Sequence, residues 1–255
     1  MIFGKPLTLT TCILVGTTNL AAEDNSPLLW MDNSATLLVG TGFEVPGDDI
    51  TTLTLEHVSG WTWGDLFAFV DLQDYHDSAT QDTSWYGEFS PRLSLGNLAG
   101  LKFSDDGLVR DILISTTWER GKNGVEALLI GGAVDLNLPG FSFFKVNAYA
   151  RKDTGLGAGF EDMQWTFAWS KPIKVGNEAF VVDGFIDYVV GWGPQASTIH
   201  FVPQLKWDIG AKWGRPGKVW LGTEIDIWKN QFGIKDTPDF NTDQVAINAI
   251  LKVHF

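Results

Sequence analysis

The chain has one cysteine in 255 residues, Cys12. It lies in a stretch that reads as a cleavable leader, so the processed chain carries no thiol. That excludes disulfides, thiolate catalysis and thiolate metal ligands. Long apolar runs are also missing. No stretch of about 18 or more apolar residues lies in the body of the chain, which excludes helical membrane spans. Basic residues are scarce, 18 Lys+Arg against 31 Asp+Glu, and the formal net charge of −13 argues against nucleic acid as a partner, since phosphate binding needs basic patches. The four histidines, His57, His76, His200 and His254, are scattered. Without a His-Glu-His spacing or a Cys cluster, nothing points to a metal or another cofactor.

The leader assigned to residues 1–22 has a thin basic end, with Lys5 as the only charge before Glu23. An apolar stretch from Leu7 to Val15 follows, then small residues up to Ala22, after which cleavage is expected. A lipoprotein reading at Leu9-Thr10-Thr11-Cys12 leaves too short an apolar run before the cysteine. Residues 23–34 then form an N-terminal segment, and residues 35–255 the folded body.

What the chain has in quantity is aromatic surface and alternation. Trp (12) and Phe (17) far outnumber Tyr (4), as befits surfaces apolar at one end and wet at the other. About a dozen segments alternate with period two, the mark of a strand with one apolar face. The last is the clearest: Val245, Ile247, Ala249, Leu251, Val253 and Phe255 share one face, and Asn248, Lys252 and His254 the other. Residues 163–170 set Met163, Trp165, Phe167 and Trp169 against Gln164, Thr166, Ala168 and Ser170. Further segments run over residues 35–45, 50–58, 63–72, 86–95, 111–119, 125–136, 142–151, 180–191, 199–211 and 219–229. Breakers such as Gly121-Lys122-Asn123-Gly124 and Gly214-Arg215-Pro216-Gly217 separate them, and no segment sustains a helical period.

The fold expected is all-β: an antiparallel transmembrane β-barrel of about twelve strands. A Lys or Arg facing lipid at the bilayer midplane costs about 2–4 kcal/mol. Arg92, Lys145, Arg151 and Lys206 all fall on the polar faces of their segments, which fixes those faces as the lumen. A two-sheet sandwich would also alternate, but it would rarely place so many Trp on its buried face. An even strand count puts both termini at one end. The long polar connections at residues 74–84 and 230–243 then fall outside, and residues 98–110 make a long periplasmic connection. Trp61, Trp63, Trp118, Trp165, Trp169, Trp207 and Trp220 read as girdle residues near strand ends or on apolar faces.

One block is recognisable: Leu55-Glu56-His57-Val58-Ser59-Gly60-Trp61-Thr62-Trp63-Gly64-Asp65-Leu66-Phe67-Ala68-Phe69-Val70-Asp71. It resembles the nucleoside-specific channel family of Gram-negative outer membranes, the Tsx-like (OmpK porin) proteins. Weaker matches follow in the family's order at residues 90–95, 134–139, 146–152 and 184–188 and in the terminal strand. The resemblance implies a twelve-stranded barrel in the outer membrane whose narrow lumen passes nucleosides and deoxynucleosides, or similar small solutes, by diffusion. It also implies that Phe255 belongs to a terminal assembly signal at the periplasmic edge, and it marks Glu56, Asp71, Arg92, Asp135, Asn147, Tyr149 and Asp187 as motif positions without making each a contact.

Within the lumen, the alternation puts Phe67 and Phe69 between Asp65 and Asp71. Asp183, Phe185 and Asp187 repeat this acid–aromatic–acid pattern. Rings can stack on a base, and carboxylates can accept from ribose hydroxyls. The blander reading is that Phe67 and Phe69 fill a narrow interior. Tyr149 with Asn147 and Arg151 is a candidate third wall. Glu56, Asp71, Arg92 and Arg151 are equally candidates for a lumenal ion-pair network that holds the barrel's shape, the favoured reading for the arginines. Outer-membrane lipid is the expected surroundings, and phage a possible user of the outer loops. Two alternatives stand behind the channel: a phage-receptor or adhesin barrel without selective transport, and a barrel enzyme. The chain has no Gly-x-Ser-x-Gly, and no Ser and His share an obvious site on neighbouring segments.

Overall fold

A computed structural model describes residues 26–45, 47–76, 78, 82–104, 106–153, 160 and 162–255. The leader and its cleavage point lie outside the described residues. Twelve strands follow one another as a meander: β1 (Leu28–Thr41), β2 (Ile50–Trp61), β3 (Gly64–Tyr75), β4 (Thr83–Ser94), β5 (Val109–Gly121), β6 (Glu126–Leu136), β7 (Phe143–Asp153), β8 (Asp162–Val175), β9 (Glu178–Val190), β10 (Thr198–Asp208), β11 (Val219–Lys229) and β12 (Gln244–His254). Each pairs antiparallel with the next, and β1 pairs with β12 to close the barrel. Closure leaves no free edge, so every strand can satisfy its backbone within the sheet.

Alternation decides what each face presents. Outward, Leu37, Val39, Leu53, Ile247 and Leu251 are all exposed, as are Trp118, Met163 and Trp165. Inward, Ser34, Thr36, Ser115, Thr117, Gln164 and Asn248 are buried. The molecule is thus apolar outside and polar within, the inverse of a water-soluble domain. Its one cluster of buried apolar side chains among the described residues joins Ala127, Leu129 and Tyr149.

The strand boundaries and the face of one residue differ from the sequence-based expectation. β1 begins at Leu28 rather than at residue 35 and ends at Thr41. Its first residues hide from a period-two search because the register with β2 shifts between Leu28 and Trp30. Trp30 then lies over Gly60: a Cβ there would come within 2.2 Å of the indole nitrogen, so a larger residue would displace the ring. Leu95 is not strand but the first residue of a short helix, α1 (Leu95–Ala99), capped by Ser94, whose Oγ accepts from the Asn97 amide at 2.9 Å. Five residues are too few to show a helical period. Trp220, expected among the girdle residues, pairs across the sheet with Lys252 and Asp208 on the inner face.

The start of β1 and the end of β12 lie at one rim, as twelve strands require. That rim also carries the α1 connection between β4 and β5. The opposite rim carries the 230–243 connection, which folds tightly. Asp236 accepts from the amides of Thr242 and Asp243, and Asn230 accepts from that of Asp236. Asp243 pairs with Lys229 at 2.5 Å, and this cation holds its carboxyl below the usual carboxylate range.

Candidate functional site

The twelve lumen residues singled out from the sequence all lie on the inner face, but they do not form one site. Near the terminal rim, the bases are neutralised one by one. Arg92 lies between Asp65 and Asp135, its Nε 2.8 Å from Asp65 and its Nη1 2.7 Å from Asp135. Lys145 adds a longer contact to Asp65 at 3.4 Å. Lys206 pairs with Asp183 at 2.8 Å, Lys252 with Glu56 at 2.8 Å, and His254 approaches Asp32 at 2.6 Å. A planar guanidinium fits two carboxylates at once, and several of these groups are nearly inaccessible, so each pair fixes the distance between strands.

The partners in the ion-pair network therefore differ from those expected. Arg92 bonds Asp65 and Asp135, not Asp71 or Glu56, and Glu56 belongs to Lys252. Arg151 lies apart, toward the other rim, where it bonds Glu119 at 2.6 and 2.8 Å, Gln164 at 2.7 Å and Asp153. The expected third wall also dissolves. Tyr149 is only 5% exposed, and its hydroxyl is 2.7 Å from Ser115. Asn147 is equally buried and donates to the Thr166 carbonyl. Neither offers a face to a solute.

Farther from the terminal rim the lumen changes character. Asp71, Glu88, Asp187 and Glu224 have no Lys, Arg or His within ion-pair distance among the described residues. They bond neutral donors instead: Thr54 to Asp71 at 2.5 Å, Tyr86 to Glu88 at 2.8 Å, Thr166 to Asp187 at 2.5 Å, and Gln204 and Asn248 to Glu224 at 2.5 and 3.0 Å. Aromatic rings stand among them. On one wall Phe67, Phe69 and Tyr86 follow one another at centroid distances of 5.6 and 5.9 Å. On the other, Phe185 meets His200 edge-on at 5.0 Å, and His200 stacks on Trp228 at 3.7 Å. Phe232, in the connection after β11, continues this ladder at 5.7 Å from Trp228. β3 and β9 are six strands apart in a ring of twelve, so the two walls face each other.

Sequence reasoning misses Tyr86, Glu88, His200, Trp228 and Phe232. Tyr86, Glu88, His200 and Trp228 alternate inward in register and are legible once the faces are set. Phe232 is not, because its left-handed backbone (φ 59°) lies in an irregular connection. The sequence search for a Ser and a His compared neighbouring segments; within one strand, His57 and Ser59, two apart on the outer face of β2, are in contact at 2.9 Å.

A polar lumen inside an apolar, closed twelve-strand barrel defines an outer-membrane channel for small solutes. The KdgM porin, solved in complex with disordered oligogalacturonate, superposes with a TM-score of 0.52 at 10% identity, over 87% of this chain and 99% of that one. The NanC porin superposes equally well, TM-score 0.52 at 9% identity, over 86% and 98%. At such identities the likeness is one of fold alone. The chain itself belongs to the nucleoside-specific channel-forming protein family, Tsx, whose profile matches residues 28–255. Its place is the Gram-negative outer membrane, and the orientation expected of such barrels turns the terminal rim toward the periplasm. No curated protein matches the chain.

Proposed function

We propose that this channel passes nucleosides, which bind weakly in the outer half of the lumen between the two aromatic walls. The observation that carries the reading is the pairing of ring and carboxyl on opposite strands: Phe67, Phe69 and Tyr86 beside Asp71 and Glu88, facing Phe185 and Trp228 beside Asp187. A base stacking on one ring gains about 1–3 kcal/mol. Two ribose hydroxyls bonding carboxylates supply the remainder of the about 4 kcal/mol that a millimolar site needs. Tighter binding would slow flux, since a solute must leave as readily as it enters. Asp65 and Asp183, flanking the same rings, are engaged by Arg92 and Lys206 and act as wall supports. Glu56, Arg92 and Arg151 likewise hold the wall, and no enzymatic step is assigned to the lumen.

An acidic polysaccharide fits poorly. The outer half of the lumen offers carboxyls rather than free bases to the kind of polyanion found with the KdgM porin. The apolar outer band contacts outer-membrane lipid. Phage adsorption to the outer connections would need no change in the lumen.

The test is conductance of the purified protein in planar bilayers. Added adenosine should reduce the current in a saturable manner, far more than equimolar glucose. Equal block by both solutes, or no pore at all, overturns the proposal.

A further inference from the structure

Outside the lumen, on the barrel's outer face near the periplasmic rim, three side chains from two neighbouring strands form a hydrogen-bonded chain. Asn33 of β1 and His57 of β2 are cross-strand partners. Asn33 Oδ1 lies 2.8 Å from His57 Nδ1, and His57 Nε2 lies 2.9 Å from Ser59 Oγ. The chemistry assigns the protons. An amide oxygen only accepts, so Nδ1 carries the hydrogen toward Asn33. In the neutral ring Nε2 is then the acceptor, and the Ser59 hydroxyl donates to it. That is the order nucleophile, base, orienting group which activates a serine for acyl transfer, and the orienting group can be an asparagine.

The position selects the substrate. Ser59 is two residues from the end of β2, and the Phe255 amide bonds the Asn33 carbonyl, so the chain of groups sits at the rim, where the bilayer's polar and acyl regions meet. We propose that Ser59, His57 and Asn33 form an acyl-transfer site on the lipid-facing wall, acting on carboxylic esters of the membrane phase, such as phospholipid acyl esters. Ser59 Oγ bonds the ester carbonyl carbon while Nε2 takes the hydroxyl proton. The carbon–alkoxide bond then breaks, and the alcohol leaves with that proton. Water, deprotonated by the same Nε2, next attacks the acyl-serine, releasing the carboxylic acid and restoring the hydroxyl.

Two features set the expected rate. Ser59 has no accessible surface, and the Trp61 indole, stacked on Trp63, donates to the same oxygen at 2.8 Å. Acylation therefore requires the indole to turn aside. The neighbouring strand amides are committed to pairing with β1 and β3, which leaves no obvious pair of N–H groups for a developing oxyanion. Slow acylation is expected, best read as covalent labelling.

The folded full-length protein in detergent is treated with a long-chain alkyl fluorophosphonate and with a p-nitrophenyl ester, and adducts are mapped by peptide mass spectrometry. A single adduct on Ser59 is expected. Ser59→Ala removes it, His57→Ala slows it by about 100-fold or more, Asn33→Ala slows it less, and Trp61→Phe accelerates it. Heat-modifiable migration on gels confirms that each variant is folded. No adduct on Ser59 in either wild type or Trp61→Phe, or labelling unaffected by His57→Ala, overturns the proposal. Adenosine block in Ser59→Ala should equal that of the wild type, so this inference and the channel reading fail separately.

Discussion

The two halves of the lumen use the same residue types for opposite ends. In the periplasmic half the buried and half-buried bases have carboxylates: Arg92 has Asp65 and Asp135, Lys145 has Asp65, Lys206 has Asp183, and Lys252 has Glu56. In the outer half Arg151 is the only inward-facing Lys or Arg that is ion-paired among the described residues. Asp71, Glu88 and Asp187 keep hydrogen bonds to hydroxyls, which a solute can supplement, and rings fill the space between them. Charge that is matched sets shape, whereas charge left unmatched beside an aromatic surface remains available to a ligand. An acidic residue in a barrel lumen is thus read by its partner, not by its type.

The contrast can be broken from either side, and the largest effect is expected from the periplasmic half. Arg92→Ala leaves the half-buried Asp135 without its base and Asp65 with only the longer Lys145 contact, and should cost up to about 3–5 kcal/mol, visible as a lowered temperature of the heat-modifiable transition. Arg92→Lys should recover part of that loss. Phe69→Ala should leave the transition nearly unchanged yet weaken adenosine block by about 1–3 kcal/mol, or roughly tenfold in the titration. If it instead enlarges the conductance with block affinity intact, the ring is filler. Phe232→Gly relaxes a left-handed residue while removing the outermost rung of the ladder. It should slow adenosine association from the outer side, seen in current-noise analysis, with no loss of stability. Smallest is Asp243→Asn, which loosens the 230–243 connection. The pairing with Lys229 depresses the folded carboxyl's pKa, so its contribution is complete at neutral pH and disappears only as the pH falls through that lowered value. Faster amide exchange in this connection at pH 7, with the melting transition unmoved, is the expected result.

Much of the barrel is legible in the sequence. The strand count and the inward faces of β3, β7, β8, β9 and β12 follow from alternation alone, because a charge facing lipid is too costly to tolerate. Phe67, Phe69, Phe185 and their flanking acids emerge in the same way. Partnership is not legible. Whether Arg92 meets Asp135 or Asp71 depends on strand order and tilt around the closed ring, and no local pattern encodes that. Burial within the lumen is also hidden: Tyr149 alternates inward like Phe69, yet it packs against Ala127 and Leu129. The contact of His57 with Ser59 is concealed because both lie on the face that alternation reserves for lipid.

The most direct test of the division between the halves is one adenosine titration of single-channel block on three proteins: wild type, a Phe69→Ala/Phe185→Ala double variant, and Arg92→Lys. The account predicts that the double variant loses adenosine block by about tenfold or more while its block by ribose alone barely changes, and that Arg92→Lys titrates like the wild type. Equal adenosine affinity in the double variant and the wild type, or a loss confined to Arg92→Lys, would contradict it.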